Sequence, residues 1–428
     1  MPMRIDTVRL ARPIAFAIAG LFLWAPPNQA MAGDAAAIAK DARVGGDLVR
    51  TRFVADLSET VEFRAFLLSN PYRVIVDLPE VRFQMPSGAG GEGRGLVSAF
   101  RYGLFAQGKS RIVIDAVGPV LIDRAFVRAA ENGQPARLII DLVRTTPDKF
   151  NKQRERQSLL RSMSPDGFQT DTEALASRVE GPSANGGKPV VVLDPGHGGV
   201  DPGAISVNGE YEKNIVFDFC RVLKSELEKT GRYRVLMTRH EDIFMSLDSR
   251  VEFAQKEQAS LLISVHADAL NIKHPMVVAR KLKEVRGASV YTLSEEASDE
   301  LAKIIAAREN RSDILAGVEL PGGADDDLAS ILIDLMHRET KNLSVSYAKQ
   351  LLDNLDGTVE LTTSPHRFAN FKVLKAQDVP SVLIELGYLS NKEDESSLTS
   401  DEWRSKVAGA IVESISVFFA KRMVSAPG

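Results

Sequence analysis

The sequence predicts an α/β protein: a mostly parallel, doubly wound sheet preceded by a small β-sandwich. Three observations predict it. From Lys188 onward, short apolar runs alternate with helical patterns, the rhythm of βαβ units that build a parallel sheet. Between residues 46 and 145 the runs are strand-length and separated by turn-forming pieces, as in a sandwich. Residues 146–187, between the two, are polar and rich in Arg, Ser, Gln and Glu, with Gly and Pro toward the end. They read as a linker carrying some helix around Lys149–Ser162.

The β-rich stretch repeats one pattern three times: Arg73-Val-Ile-Val-Asp77, Arg111-Ile-Val-Ile-Asp115 and Arg137-Leu-Ile-Ile-Asp141. Positions i and i+4 of a strand share a face, so each Arg and its Asp point the same way while the apolar residues between them face both ways. Ser69-Asn70-Pro71, the Gly88–Gly95 loop and Asn132-Gly133 punctuate the strands. No nucleophile, histidine or acidic cluster with catalytic spacing occurs there, so a binding role is expected, a structural spacer being the alternative.

In the second part, strands are expected at Pro189–Leu193, Arg234–Thr238, Leu261–Val265, Gly287–Leu293 and Ser381–Glu385. Helices are expected at Lys213–Lys229, Leu247–Gln258, Ser344–Leu355 and Glu402–Met423, within a region running over 188–425. Residues 295–340 break this rhythm with two amphipathic patterns, Glu295–Asn310 and Asp326–Thr340, around Pro321-Gly322-Gly323. They read as an insertion packed on the edge or mouth of the sheet.

Bulk properties narrow the chemistry. The chain has 428 residues, 44% hydrophobic and 26% charged, and a net charge of -4, so nucleic acid is not an expected partner. The one cysteine, Cys220, rules out an intrachain disulfide and a Cys-rich metal site; any metal must sit on histidine and carboxylate. Cys220 lies in the apolar-periodic Ile215–Leu227 and reads as a small core residue. The first 32 residues have the form of an export signal: Arg4, Arg9 and Arg12, the apolar Pro13–Ala25, then Ala30-Met31-Ala32. That apolar run is too short to favour a membrane anchor, and no other run is long enough to span a bilayer. The mature chain is expected to be soluble and exported.

Candidate chemistry gathers at strand ends, where ligands collect in α/β sheets. Val190–Leu193 is followed by Asp194-Pro195-Gly196-His197-Gly198-Gly199, which leaves His197 on an open turn as a metal ligand or a base. His266 closes Leu261–Val265, and Glu212 opens a helix shortly after the His197 turn, with Glu210 competing for its role. Two histidines and a carboxylate make a catalytic zinc set with a fourth position for water. Taken singly, each has a bland reading, and for Glu212 it is simple complementation of a helix N-terminus.

Glu385 ends the apolar Ser381–Ile384 and reads as a general base and acid, an ion pair being the alternative. Asp194 is a candidate to orient His197 from behind. Arg250 reads as a structural ion-pair residue rather than a substrate clamp, and His240, His274, His337 and His366 as solvated histidines in loops or polar contexts.

Read together, these motifs resemble a known family. Val191-Val-Leu-Asp-Pro-Gly-His-Gly-Gly199, Tyr211-Glu-Lys-Asn214, Met237-Thr-Arg239, Ser264-Val-His-Ala-Asp268, Phe371-Lys-Val-Leu-Lys375 and Pro380–Asn391 are similar in order and spacing to the zinc-dependent N-acetylmuramoyl-L-alanine amidases. The resemblance implies zinc on His197, Glu212 and His266, with Glu212 chosen over Glu210 by the Glu-Lys-Asn motif, and Glu385 as catalytic glutamate. It implies peptidoglycan as substrate, cut between the muramic acid lactyl group and L-alanine, and a periplasmic location. The β-rich stretch resembles the family's cell-wall-targeting domain.

The insertion resembles the autoinhibitory segment of the division-associated members. There a helix covers the zinc cleft, a glutamate can take the open metal position, and an activator protein with an inactive peptidase-like domain displaces it. Glu309 is the best candidate here, with Glu295, Glu296 and Glu300 as alternatives. Competing readings are a non-catalytic wall-binding scaffold and a zinc carboxypeptidase; for the latter no arginine clamp is evident.

Overall fold

The computed structural model describes residues 36–86, 88–163, 187–270, 285–318 and 331–425. The expected export signal, His274 and the Pro321 turn lie outside the described residues.

Nine strands come first: β1 (Ala37–Gly46), β2 (Arg50–Leu57), β3 (Arg64–Leu68), β4 (Arg73–Pro79), β5 (Val81–Phe83), β6 (Val97–Ala106), β7 (Lys109–Ala116), β8 (Val120–Arg128) and β9 (Ala136–Arg144). They form a five-stranded sheet, β5-β1-β2-β9-β8, and a four-stranded sheet, β3-β4-β7-β6. The sheets share one core, with Phe53, Leu138 and Ile140 from the first meeting Val74, Val76, Ile112 and Ile114 from the second. Strand β1 starts ahead of the expected boundary because Ala37 and Ala39, small and buried, already pack into that core.

Antiparallel register explains the repeated pattern. Arg73 of β4 stands opposite Asp115 of β7, and Asp77 opposite Arg111. Arg111 holds Asp77 through two parallel bonds of 2.6 and 3.0 Å, the forked geometry that guanidinium and carboxylate favour. The third copy lies in the other sheet, where Asp141 meets Arg52 at 2.6 Å and Arg137 meets Asp56 at 2.9 Å. Alternation sends Val74 and Val76 into the sandwich and turns Ile75 and Val113 outward, yet these two are also fully buried. The four-stranded sheet is therefore covered on both faces.

Helix α1 (Pro147–Met163) occupies the start of the expected linker, with Phe150 anchored in the sandwich core. The α/β region then builds a six-stranded sheet from β10 (Val190–Pro195), β11 (Arg234–Met237), β12 (Leu261–His266), β13 (Ala288–Leu293), β14 (Leu361–Ala369) and β15 (Ser381–Glu385). Its order is β11-β10-β12-β15-β13-β14, and every pairing is parallel except β13 with β15.

Helices cover both faces. Val191, Leu193 and Ile263 pack under α2 (Glu212–Lys229), α6 (Ile331–Leu355) and α8 (Asp401–Ser425). Val190, Val192 and Leu262 pack against α3 (Leu247–Lys256) on the other side. Burial on two faces is why these strands read as unbroken apolar runs. Cys220 is fully buried among the α2 contacts, the core position its surroundings indicated.

Two elements differ from the sequence expectation. Strand β14 was not foreseen, because Thr362-Thr-Ser-Pro-His-Arg367 is polar; it is an edge strand, where Pro365 and exposed polar groups are tolerated. Helix α6 runs from Ile331 without a break through the stretch expected as two helices. Between β13 and α6 lie α4 (Glu300–Glu309) and the single turn α5 (Ser312–Leu315), and α7 (Lys392–Leu398) precedes α8.

Candidate metal centre

The turn after β10 is held by arginines. His197 has φ 58, in the left-handed region, and Gly198 and Gly199 follow at 128 and 56. A non-glycine residue there costs on the order of 1–3 kcal/mol. Hydrogen bonds around the turn offset that cost. Arg239 donates to the carbonyls of Pro195 and Gly196 at 3.0 Å each and to that of Lys213 at 2.8 Å. Arg250 donates to the His197 carbonyl at 2.7 Å and pairs with Asp194 at 2.7 Å. Arg250 is thus a buried structural ion-pair residue. Gly196 allows the close approach of His266, since a Cβ there would meet that ring at 2.4 Å.

His197, in the turn after β10, and His266, at the end of β12, bring their rings to 5.0 Å, nearly perpendicular. Glu212, the first residue of α2, places Oε2 3.2 Å from His197 Nε2 and Oε1 3.2 Å from His266 Nδ1. Backbone N–H groups fix it, with Ala204 donating to Oε2 at 2.8 Å and Ala267 to Oε1 at 2.9 Å. One ligand atom from each of the three lies within 4.8 Å of the others, so the group could hold a metal ion. Glu210 is exposed and outside this group.

The donors fit a cation. Nε2 of His197 is buried without a hydrogen bond, although two carboxylate oxygens stand 3.2 and 3.3 Å away. Those atoms surround a common centre rather than lying on a donor–acceptor line. Burial disfavours charge on His266, but the carboxylates of Glu309 and Glu212 overcome it and push its pKa up to about 10. His197 is raised too, by Glu212, Asp201 and Glu309 against the same burial. The buried carboxylates thus favour positive charge at this centre, which protonated imidazoles or a bound cation could supply.

Glu385 ends β15 directly opposite His266 in the parallel register. It is fully buried; Oε2 accepts the Asp268 N–H at 3.0 Å, and Oε1 has no hydrogen bond. Burial first, then the neighbouring Asp268, raise its pKa well above the ordinary carboxyl range. Asp268 is itself pushed to about 7 by burial, against the pull of Arg308, whose guanidinium lies 2.5 Å from it.

Glu309, the last residue of α4, enters the same group. Its Oε2 is 3.3 Å from His197 Nε2 and 3.1 Å from His266 Nδ1. Glu295, Glu296 and Glu300 instead line an open cleft beside Lys303 and Asn310.

The expectation for Asp194 is corrected. It does not touch the His197 ring, because Thr238, Ser264 and Arg250 take its oxygens at 2.6, 2.7 and 2.7 Å. The partner of His197 Nδ1 is Asp201 at 2.9 Å, which also accepts the Ser312 hydroxyl. Asp201 was missed because it sits in an aperiodic, glycine-rich turn; its one signal is the four-residue spacing from His197. Asp268 and Arg239 stood in quoted motifs but drew no role. His366 is half-buried in β14 and hydrogen-bonded to Thr292 at 3.2 Å, not a solvated loop histidine; burial lowers its pKa. His240 is exposed, and His337 falls within α6.

A mostly parallel sheet whose strand ends present a candidate metal group beside a buried carboxyl of raised pKa is an architecture suited to a hydrolase. Comparison with known proteins narrows that class. Residues 191–417 match the N-acetylmuramoyl-L-alanine amidase family, and residues 43–142 match the AMIN domain. The chain is 32% identical over 376 residues to N-acetylmuramoyl-L-alanine amidase AmiC of Escherichia coli, covering 86% of this chain and 87% of that one. It is 31% identical over 389 residues to AmiC of Neisseria meningitidis, covering 87% and 88%. Among solved structures, amidase AmiC2 of Nostoc punctiforme is 25% identical with a TM-score of 0.38, covering 55% of this chain and 98% of that one. The chain belongs to the N-acetylmuramoyl-L-alanine amidase family and is a peptidoglycan amidase.

Proposed function

We propose that this amidase is a zinc enzyme, with His197, Glu212 and His266 as ligands and Glu385 as general base and acid, and that its insert holds it inactive through Glu309. The observation that carries the reading is the convergence of two imidazoles and two carboxylates, one of them Glu309, on a single buried centre. The donor set of two nitrogens and one carboxylate suits zinc with one position left open. Zinc there would acidify a bound water and polarise the lactyl carbonyl.

The chain's own residues do the rest. Glu385 is held by the Asp268 N–H through Oε2, which leaves Oε1 free to take the proton of the attacking water. Its raised pKa lets it keep that proton near neutrality and pass it to the departing L-alanine nitrogen. Asp201 keeps Nδ1 of His197 as a donor, so that Nε2 faces the centre. Glu309 Oε2, at 3.3 and 3.1 Å from the two imidazoles, would compete with the lactyl carbonyl for the open position.

The wider role follows from the same reading. Residues 188–425 form the catalytic domain, 46–145 target the cell wall, and 295–340 regulate. The enzyme acts in the periplasm after export, in wall remodelling and daughter-cell separation. An activator with an inactive peptidase-like domain displaces the insert. Among the described residues no helix is long and apolar enough to cross a membrane. The test is to incubate purified murein with the zinc-loaded Glu309→Ala chain. Stem peptides bearing a free L-alanine amine support the reading, and intact murein refutes it.

A further inference from the structure

We infer that the four-stranded sheet of the β-rich region is the seat of the blocking helix: its outer face grips the end of the insert, residues Ile314–Val318, and so controls whether Glu309 stays in the metal centre. This rests on the reading that Glu309 blocks the site.

The last carbonyls of a helix have no partner within it and carry partial negative charge. At the end of α5 and just beyond it, carbonyls are taken by arginines more than 200 residues away in sequence, that of Ile314 also accepting from the Gly317 N–H. Arg73 donates to the Ile314 carbonyl, Arg101 to that of Leu315 at 2.8 Å, and Arg111 to those of Ala316 and Gly317 at 3.3 and 3.0 Å. Two of the three are aimed by carboxylates of the same sheet, Arg101 by Asp115 at 2.8 Å and Arg111 by Asp77 at 2.6 Å. Arg73 is 3% exposed, and its other bonds go to the carbonyls of Pro71 and Ser69. Arg73 and Arg111 of the repeated pattern, with Arg101 between them in sequence, thus form a row of donors matched to one strip of backbone.

Apolar contact completes the seat. Ala316 and Val318 pack with Leu68, Ile75 and Val113 of the sheet and with Val200 and Phe244 of the α/β region. Gly317 has φ 72, where a side chain strains the backbone, and a Cβ on it would lie 2.6 Å from Ile75 Cδ1 and displace that methyl from the seat. The same sheet reaches the metal turn: a Cβ on Gly103 would fall 2.3 Å from the Gly199 backbone, and the Leu104 carbonyl accepts from Phe244 at 3.1 Å. Within α5, Ser312 donates to Asp201, the partner of His197. Four residues therefore tie the sheet at one end to the metal centre at the other, and Glu309 lies just upstream. Separating the sheet from Ile314–Val318 would release the anchor that keeps α4 over the site.

The experiment uses the full zinc-loaded chain and two variants, Gly317→Val and Arg101→Ala, beside Glu309→Ala. Arg101 is partly exposed on the sheet surface, so its loss spares the sandwich core even if Gly317→Val folds poorly. Hydrogen–deuterium exchange over residues 300–315 and stem-peptide release from murein are read together. Each seat variant should speed exchange there by at least about tenfold, the worth of one charge-assisted hydrogen bond, and raise basal release. Wild-type exchange in both variants, with Glu309→Ala still activating, overturns the seat and leaves blocking by Glu309 intact. Faster exchange in both, with release unchanged in all three variants, supports the seat and removes the blocking reading instead.

Discussion

Glu309 Oε2 lies 3.1 Å from Nδ1 of His266, although 43 residues and a strand separate them, and the contact is completely buried. A carboxylate is not taken out of water to face an imidazole unless the pair is firmly held. Here Arg308, its neighbour, is fixed at 2.5 Å on Asp268, and Ser312 is fixed on Asp201. The insert is thus pinned on both sides of Glu309 by groups that border the candidate metal centre.

Removing that carboxylate should activate the enzyme. Glu309→Ala is expected to raise basal stem-peptide release by about 5- to 150-fold, the usual range of a coupling between an inhibitory element and a site. Dye-labelled murein gives the rate directly, and a rate equal to wild type would sink the inhibitory role.

Glu385→Gln separates chemistry from metal binding. The amide keeps the volume of the carboxylate but cannot take a proton. Turnover should fall by about 10²–10⁴-fold while zinc content, read by elemental analysis, stays at one per chain. Retained turnover would move the proton transfer to another group.

How much of this was legible in the sequence depends on which signal each residue carried. His197, His266 and Glu385 end apolar strands, so their positions followed from strand periodicity alone. Helical periodicity does not separate Glu212 from Glu210; the Glu-Lys-Asn motif does, and in the structure Glu212 is the buried first residue of α2 while Glu210 is exposed two residues before it. The Arg and Asp repeats announced a shared face. What lies on that face depends on antiparallel register and on a segment far along the chain, and neither leaves a local trace. Asp194 was misassigned for the same reason: its partners Thr238, Arg250 and Ser264 come from three other elements.

Asp201→Asn tests the support of His197. The ring would lose the charged acceptor that holds its tautomer and orientation, and zinc affinity should weaken by about 10–100-fold. Competition against a chromophoric chelator measures this, with circular dichroism to show an unchanged fold. Equal affinity would make Asp201 a mere turn residue.

Asp194→Asn should cost stability rather than chemistry, about 3–5 kcal/mol, because it leaves Arg250 buried without its counter-charge. Burial works against the Asp194 carboxylate, but Arg250, Thr238 and Ser264 hold its pKa below the ordinary range. The folded value lies below the unfolded one, so the contribution is complete above the unfolded pKa and is lost as pH falls through the folded one. The gap in melting temperature between wild type and variant should be flat from neutral pH to about 5 and narrow below about 4. A gap that widens on acidification would contradict the assignment.

The central claim, that zinc on His197, Glu212 and His266 serves an amidase which Glu309 holds shut, is tested most directly by mass spectrometry of the products from purified murein. The zinc-loaded Glu309→Ala chain should release stem peptides that begin with a free L-alanine amine and leave glycan strands with free lactyl carboxylates, and chelation should abolish the release. Murein left intact by the zinc-loaded variant, or release that survives chelation, would contradict it.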